Sequence, residues 1–109
     1  MLDVARLDPS GRFTSRTVIL ALGWQPGQPV EISVIDRAVV FTAAAPGRLA
    51  VGGRGELAVP APARVMAGMD RSRQVVLVAV PGHAALLVHP PALVAGLLAA
   101  YYARQPGDP

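Results

Sequence analysis

Asp8-Pro9-Ser10-Gly11-Arg12-Phe13 and Gly52-Gly53-Arg54-Gly55-Glu56-Leu57 are the stretches whose reading decides the fold, because superposing them lays Gly11 on Gly55, 44 residues further on. Working outward, Leu22-Gly23 matches Ala67-Gly68, and Val30 to Ile35 matches Val75 to Val80, both at a spacing of 45. Val39-Val40-Phe41 then matches Leu86-Leu87-Val88 at 47, so the second copy carries three extra residues by its end. A turn, a helix-ending glycine and two strands recurring in one order are the signature of an internal duplication.

Each copy reads as strand, turn, strand, short helix, strand, turn, strand. In the first, strands at Val4 to Leu7 and Arg12 to Thr14 flank the Pro-Ser-Gly turn, and a helix from about Ser15 to Leu22 stops at Gly23, the natural left-handed terminator. A hairpin follows, Val30 to Ile35 and Ala38 to Thr42 around Asp36-Arg37, and Ala43 to Gly47 is the linker. The second copy runs Leu49 to Gly52, Glu56 to Val59, a proline-started helix Pro60 to Ala67, Gln74 to Val80 and Ala84 to Val88. A unit of about 40 residues cannot bury both faces of four strands, so the copies are expected to share one core.

The 109 residues are 52% hydrophobic and 16% charged, enough apolar surface for a folded domain and too few charges for a disordered one. All ten basic residues are arginine, against seven acids, leaving +3. The absence of lysine excludes a phosphate loop ending in lysine and a Schiff-base lysine, and the absence of cysteine excludes disulfides, thiolate catalysis and cysteine zinc sites. No apolar run reaches the roughly 18 to 20 residues that cross a bilayer, and the start, with Asp3, is unlike a signal peptide. The expectation is a bacterial cytoplasmic, nucleoid-associated protein.

The order Gly-Arg, apolar strand, short helix, Leu-Gly, Pro-Gly, strand hairpin resembles the AbrB/SpoVT/MazE swapped-hairpin DNA-binding family, over about residues 3 to 90. The matching residues are Asp8, Gly11-Arg12-Phe13, Ala21-Leu22-Gly23, Pro26-Gly27, Val30-Glu31-Ile32 and Val39-Val40 in repeat one. Repeat two supplies Gly55, Leu57, Val59-Pro60, Arg64 and Ala67-Gly68. The tandem form is similar to MraZ proteins and paired-repeat actinobacterial regulators. The resemblance implies a mainly β fold with short helices. Two tandem β-β-α-β-β swapped-hairpin repeats, at 3–44 and 49–90, would interlock into one small β-barrel. A C-terminal helix at 91–103 and a tail at 104–109 would follow. It also implies duplex DNA as partner, bound by basic residues around the first hairpin and the helix start.

Carried over residue by residue, Arg12 is the first DNA-contact candidate, with Arg6 beside it and Arg64 in repeat two; Arg16, Arg54, Arg71 and Arg73 are candidates by charge. Arginine suits phosphate and guanine because its planar fork presents two parallel donors. Repeat one departs from the family in lacking the proline before its helix and in carrying Ile19-Leu20 there. Repeat two has Glu56 where repeat one has Arg12, so the two halves are not equivalent. The plainer reading of each arginine is a solvated charge, with Arg12 paired to Asp8.

Catalytic patterns are not found. His83 and His89 have no metal-ligand spacing to other donors, Gly53-Arg54-Gly55 lacks the third glycine of a dinucleotide loop, and no serine stands in a nucleophile elbow. No cofactor, metal or catalytic residue is expected, and Trp24 reads as a hydrophobic anchor rather than a stacking platform. The tail from Pro91 to Ala103 reads as a helix without charge on any face, which should be buried. Either it packs on its own barrel by its large side chains, or Leu93, Gly96, Leu97, Ala99 and Tyr101 make a homodimer contact. The functional expectation is a non-enzymatic transcriptional regulator. The alternative is a protein-interaction module, antitoxin-like or adaptor, that has lost DNA reading.

Overall fold

A computed structural model describes residues 1–69 and 73–104, and for Leu93 the backbone alone. The chain is mainly β, with three short helices. Its strands are β1 (Leu2–Arg6), β2 (Arg12–Thr14), β3 (Pro29–Ile35), β4 (Ala38–Ala43), β5 (Leu49–Ala50), β6 (Glu56–Ala58), β7 (Gln74–Val80) and β8 (Ala85–His89). The helices are α1 (Arg16–Leu22), α2 (Ala61–Met66) and α3 (Pro91–Ala103). Six strands form one antiparallel sheet in the order β1-β7-β8-β4-β3-β5, and β2 and β6 pair separately.

That order places each early strand beside a late one. The two local hairpins, β3–β4 and β7–β8, join through β4 and β8, with Val40 opposite Leu87. The first strand of the chain then adds to the far hairpin, Ala5 opposite Val75, and β5 adds to the near one, Leu49 opposite Val30. Phe13 faces Leu57 at the centre of the β2–β6 ribbon.

A closed barrel does not form among the described residues. Its closing pieces would be β2, β5 and β6, which are three, two and three residues long, too short to pair on both sides. The sheet therefore stays open, with β1 and β5 at its two edges. Gln74–Val80 and Pro91–Ala103 start and stop where the sequence places them, whereas β1 begins two residues earlier than Val4 because its register on β7 extends to Leu2.

One face of the sheet holds the core. Val30, Val39, Phe41, Leu77, Leu86 and Val88 are fully buried there, beneath α1, α2 and the ribbon, and Trp24 is buried beside them as an anchor. Local chemistry sets the helix that covers them. The Ser15 hydroxyl accepts from the Val18 N–H at 3.3 Å, capping α1, and donates to Asp3 Oδ2 at 2.6 Å on β1. Gly23, at φ 71°, closes the other end, where its own N–H reaches Leu20 O and the Trp24 N–H reaches Ile19 O. The Ser15 bond holds the Asp3 carboxyl below the usual range, so its stabilising contribution is present at neutral pH and lost as pH falls through that range. Ser15→Ala removes both bonds and is expected to destabilise the fold by about 1–2 kcal/mol, read by urea denaturation. A loss under about 0.3 kcal/mol would show that the cap does not hold α1.

α3 departs most from expectation. Val94 is half-buried, but Leu97, Leu98, Tyr101 and Tyr102 are all more than half exposed. The helix touches β7 near its root, and the molecule is elongated, 50 × 29 × 20 Å. The expectation that its large side chains pack on the same chain's core is not met, because α1, α2 and the ribbon already fill the covered face of the sheet. No helix among the described residues is long and apolar enough to cross a membrane.

Candidate nucleic-acid interface

The two turns that organise the sequence sit at the ends of the β2–β6 ribbon, and each is closed by a carboxylate. In the first, Asp8 Oδ1 accepts from the backbone N–H of Ser10 at 2.9 Å and of Arg12 at 2.8 Å, and from the Ser10 hydroxyl at 2.9 Å. The counterpart of Asp8 is Gly52, which has no side chain to do this. Glu56 instead reaches back over Gly52 and accepts from the Arg54 N–H at 2.9 Å. Arg54 is the counterpart of Ser10, so the same turn amide is satisfied in both copies, from opposite sides.

These backbone bonds hold both carboxyls below their usual range: chiefly the Arg12 N–H for Asp8 and the Arg54 N–H for Glu56. Both side chains are therefore acceptors turned toward turn amides at neutral pH. The expected ion pair of Asp8 with the Arg12 guanidinium does not form; Arg12 Nη1 donates to Ser10 Oγ at 3.1 Å. Among the described residues the one salt bridge is Arg48 to Glu31, 2.8 Å, elsewhere on the molecule.

Arg6, Arg12 and Arg54 line one shallow groove, with Asp8, Thr14 and Glu56 at its polar wall and Phe13 at its floor. Three guanidiniums against two carboxylates leave the groove at +1. Arg6 arrives from the end of β1, Arg12 from the start of β2 and Arg54 from the second turn, so the groove gathers residues from both halves of the chain.

The other candidates are placed differently. Arg16, at the first position of α1, and Arg54 border a neighbouring, more apolar hollow with Leu20, Trp24 and Pro26. Arg64 is half-buried, and its guanidinium lies against Gly11, where it packs the first turn rather than lining the groove. Arg73 gives its carbonyl to the Leu7 N–H at 2.7 Å, and Arg71 lies outside the described residues. Sequence reasoning missed Thr14 as part of the groove and the bond by which Glu56 closes the second turn. The missing signal for Glu56 was Gly52, the small residue under which its side chain fits.

His83 is exposed, while His89 is half-buried with Nδ1 unpartnered, and burial pushes its pKa down. No cluster of metal-ligating side chains occurs among the described residues. Comparison with family models, curated proteins and solved structures finds no match to this chain.

Proposed function

We propose that the chain is a DNA-binding regulator, non-enzymatic, built from two swapped-hairpin repeats, and that it grips duplex DNA through the Arg6–Arg12–Arg54 groove. One observation carries the reading: three arginines from both halves of the chain converge on an open groove, in no salt bridge among the described residues, while the neighbouring carboxylates are occupied with turn amides. Guanidiniums so placed present paired donors to phosphate oxygens. The duplication is supported by the strand registers. Val39 opposite Val88 and Phe41 opposite Leu86 exchange under the spacing of 47, as Arg12 opposite Ala58 and Thr14 opposite Glu56 exchange under 44. In this reading β1 and β5 are the exchanged elements.

The test is salt dependence. Three phosphate contacts per chain give a slope of log affinity on log salt of about −3 for one chain and about −5 for two. Arg12→Ala is expected to weaken binding about tenfold and to make the slope shallower by about 1 per chain. Arg37→Ala, in the β3–β4 turn away from the groove, should leave both unchanged. Equal losses from both variants would reduce the reading to nonspecific charge.

A protein-interaction module is the second reading, favoured by the exposure of Leu20 on α1 and Val65 and Met66 on α2. Absence of binding to duplex DNA at 50 mM salt would select it.

A further inference from the structure

The face of the sheet opposite the core is apolar over β1, β7 and β8, and turns polar toward β3, where Ser33 stands opposite Val40 and Glu31 opposite Thr42. Directly opposed residues of an antiparallel pair project to the same side. One cross-strand row runs Leu2, Val78, Leu87, Val40 over β1, β7, β8 and β4. A second runs Val4, Val76, His89, ending two residues before α3 begins. Antiparallel sheets with one solvated face alternate apolar and polar residues, and these rows do not. Leu2 and Val4 are 63% and 56% exposed, and Val76, Val78 and Leu87 are half-buried.

α3 follows directly from β8 and touches β7. It repeats a four-residue unit three times, Ala92-Leu93-Val94-Ala95, Gly96-Leu97-Leu98-Ala99 and Ala100-Tyr101-Tyr102-Ala103, so small and large residues each form rows at i, i+4. Large rows make a ridge and small rows a groove, and two such helices interlock at about −50°. The helix carries ridge and groove together, which is the self-complementarity that a two-fold contact requires.

We propose that a second copy of this chain covers α3 and the Leu2–Val4 end of the outer sheet face, forming a two-fold homodimer. Area favours this occupant. Tyr101 and Tyr102, 57% and 62% exposed, leave roughly 200–250 Å² of ring in water, on aromatic areas of about 150–250 Å² each. Leu2, Val4, Leu97 and Leu98 enlarge the patch to the size that monomers rarely expose, and toward the roughly 800 Å² per partner of a standard dimer. The two cross-strand rows named and α3 contain no Asp, Glu or Arg; Arg6, opposite Gln74, borders them on the same face of β1.

Sedimentation without DNA tests the interface separately from DNA binding. The full chain should run at twice 11.3 kDa. Leu98→Glu, Tyr102→Asp and Val4→Glu, each at a position more than half exposed, should run as folded monomers by circular dichroism. Met66→Glu on α2, equally exposed, should stay dimeric. A monomeric wild type at 100 µM overturns the proposal. A dimeric Leu98→Glu or Tyr102→Asp removes α3 from the interface, and a dimeric Val4→Glu removes the sheet face; either result refutes the surface as drawn.

Discussion

Phe41→Ala is expected to cost about 3–5 kcal/mol, a large share of the roughly 5–15 kcal/mol that holds a domain of this size together. Phe41 is fully buried on β4 between Ile32 of β3 and Leu86 of β8, and its ring meets Phe13 edge-to-face with centroids 6.2 Å apart. Phe13 is the middle of the ribbon, so the pair ties the small sheet to the large one. Truncation removes that tie and leaves a cavity that rigid neighbours cannot fill. Guanidinium denaturation should show the midpoint fall without a change in slope. Ile35→Ala, at a position 59% exposed, should stay within about 1 kcal/mol. A Phe41→Ala loss below about 1.5 kcal/mol would mean that the ribbon is held by something other than this contact.

Gly11 and Gly55 provide the second large effect, because equivalent positions should respond unequally. Both take left-handed backbone, φ 84° and 75°, which costs a residue with a Cβ about 1–2 kcal/mol. At Gly55 a Cβ meets open space, so Gly55→Ala should cost only that. At Gly11 it would stand 2.6 Å from the Val59 carbonyl and 2.7 Å from Arg64 Nη1. Arg64 can move; the Val59 backbone cannot, since its N–H donates to Gly11 O at 2.9 Å. Gly11→Ala is therefore expected to cost about 3 kcal/mol or more and to displace the turn that presents Arg12. Equal losses at the two glycines, measured by thermal and chemical denaturation, would show that the close approach to Val59 is unimportant.

These glycines also show what could be read in advance. Gly11, Gly23, Gly55 and Gly68 all adopt positive φ, and a left-handed position leaves a mark in the sequence because few other residues tolerate it. The β7 boundaries were legible because Val75 to Val80, after Gln74, is a continuous β-branched and apolar run that ends at Pro81. Sheet closure was not legible. It depends on how far β2, β5 and β6 extend, and pairing energy over two or three residues is decided by tertiary contacts. Within the groove, Arg6 and Arg12 could be named from their place beside the first turn, but Arg54 joined them only through the meeting of two segments remote in sequence. That Arg64 lies against Gly11 could not be read, because helix position says nothing about what covers the first turn. α3 was bounded as the sequence places it, but which of the two readings of its apolar faces holds was not legible, since an apolar sequence calls for cover without saying by which chain.

The long-range placement of β1 has a consequence for synthesis. Leu2 is made before every other described strand residue, yet its partner Val78 is added 76 residues later, roughly 4–15 seconds at about 5–20 residues per second. The β3–β4 hairpin, local in sequence, can assemble in that interval, whereas the first strand has nothing to pair with until the last hairpin is made. Leu2 and Val4 are thus presented to the cell as a free apolar segment until β7 is made, and the nascent chain is most open to chaperone capture at β1.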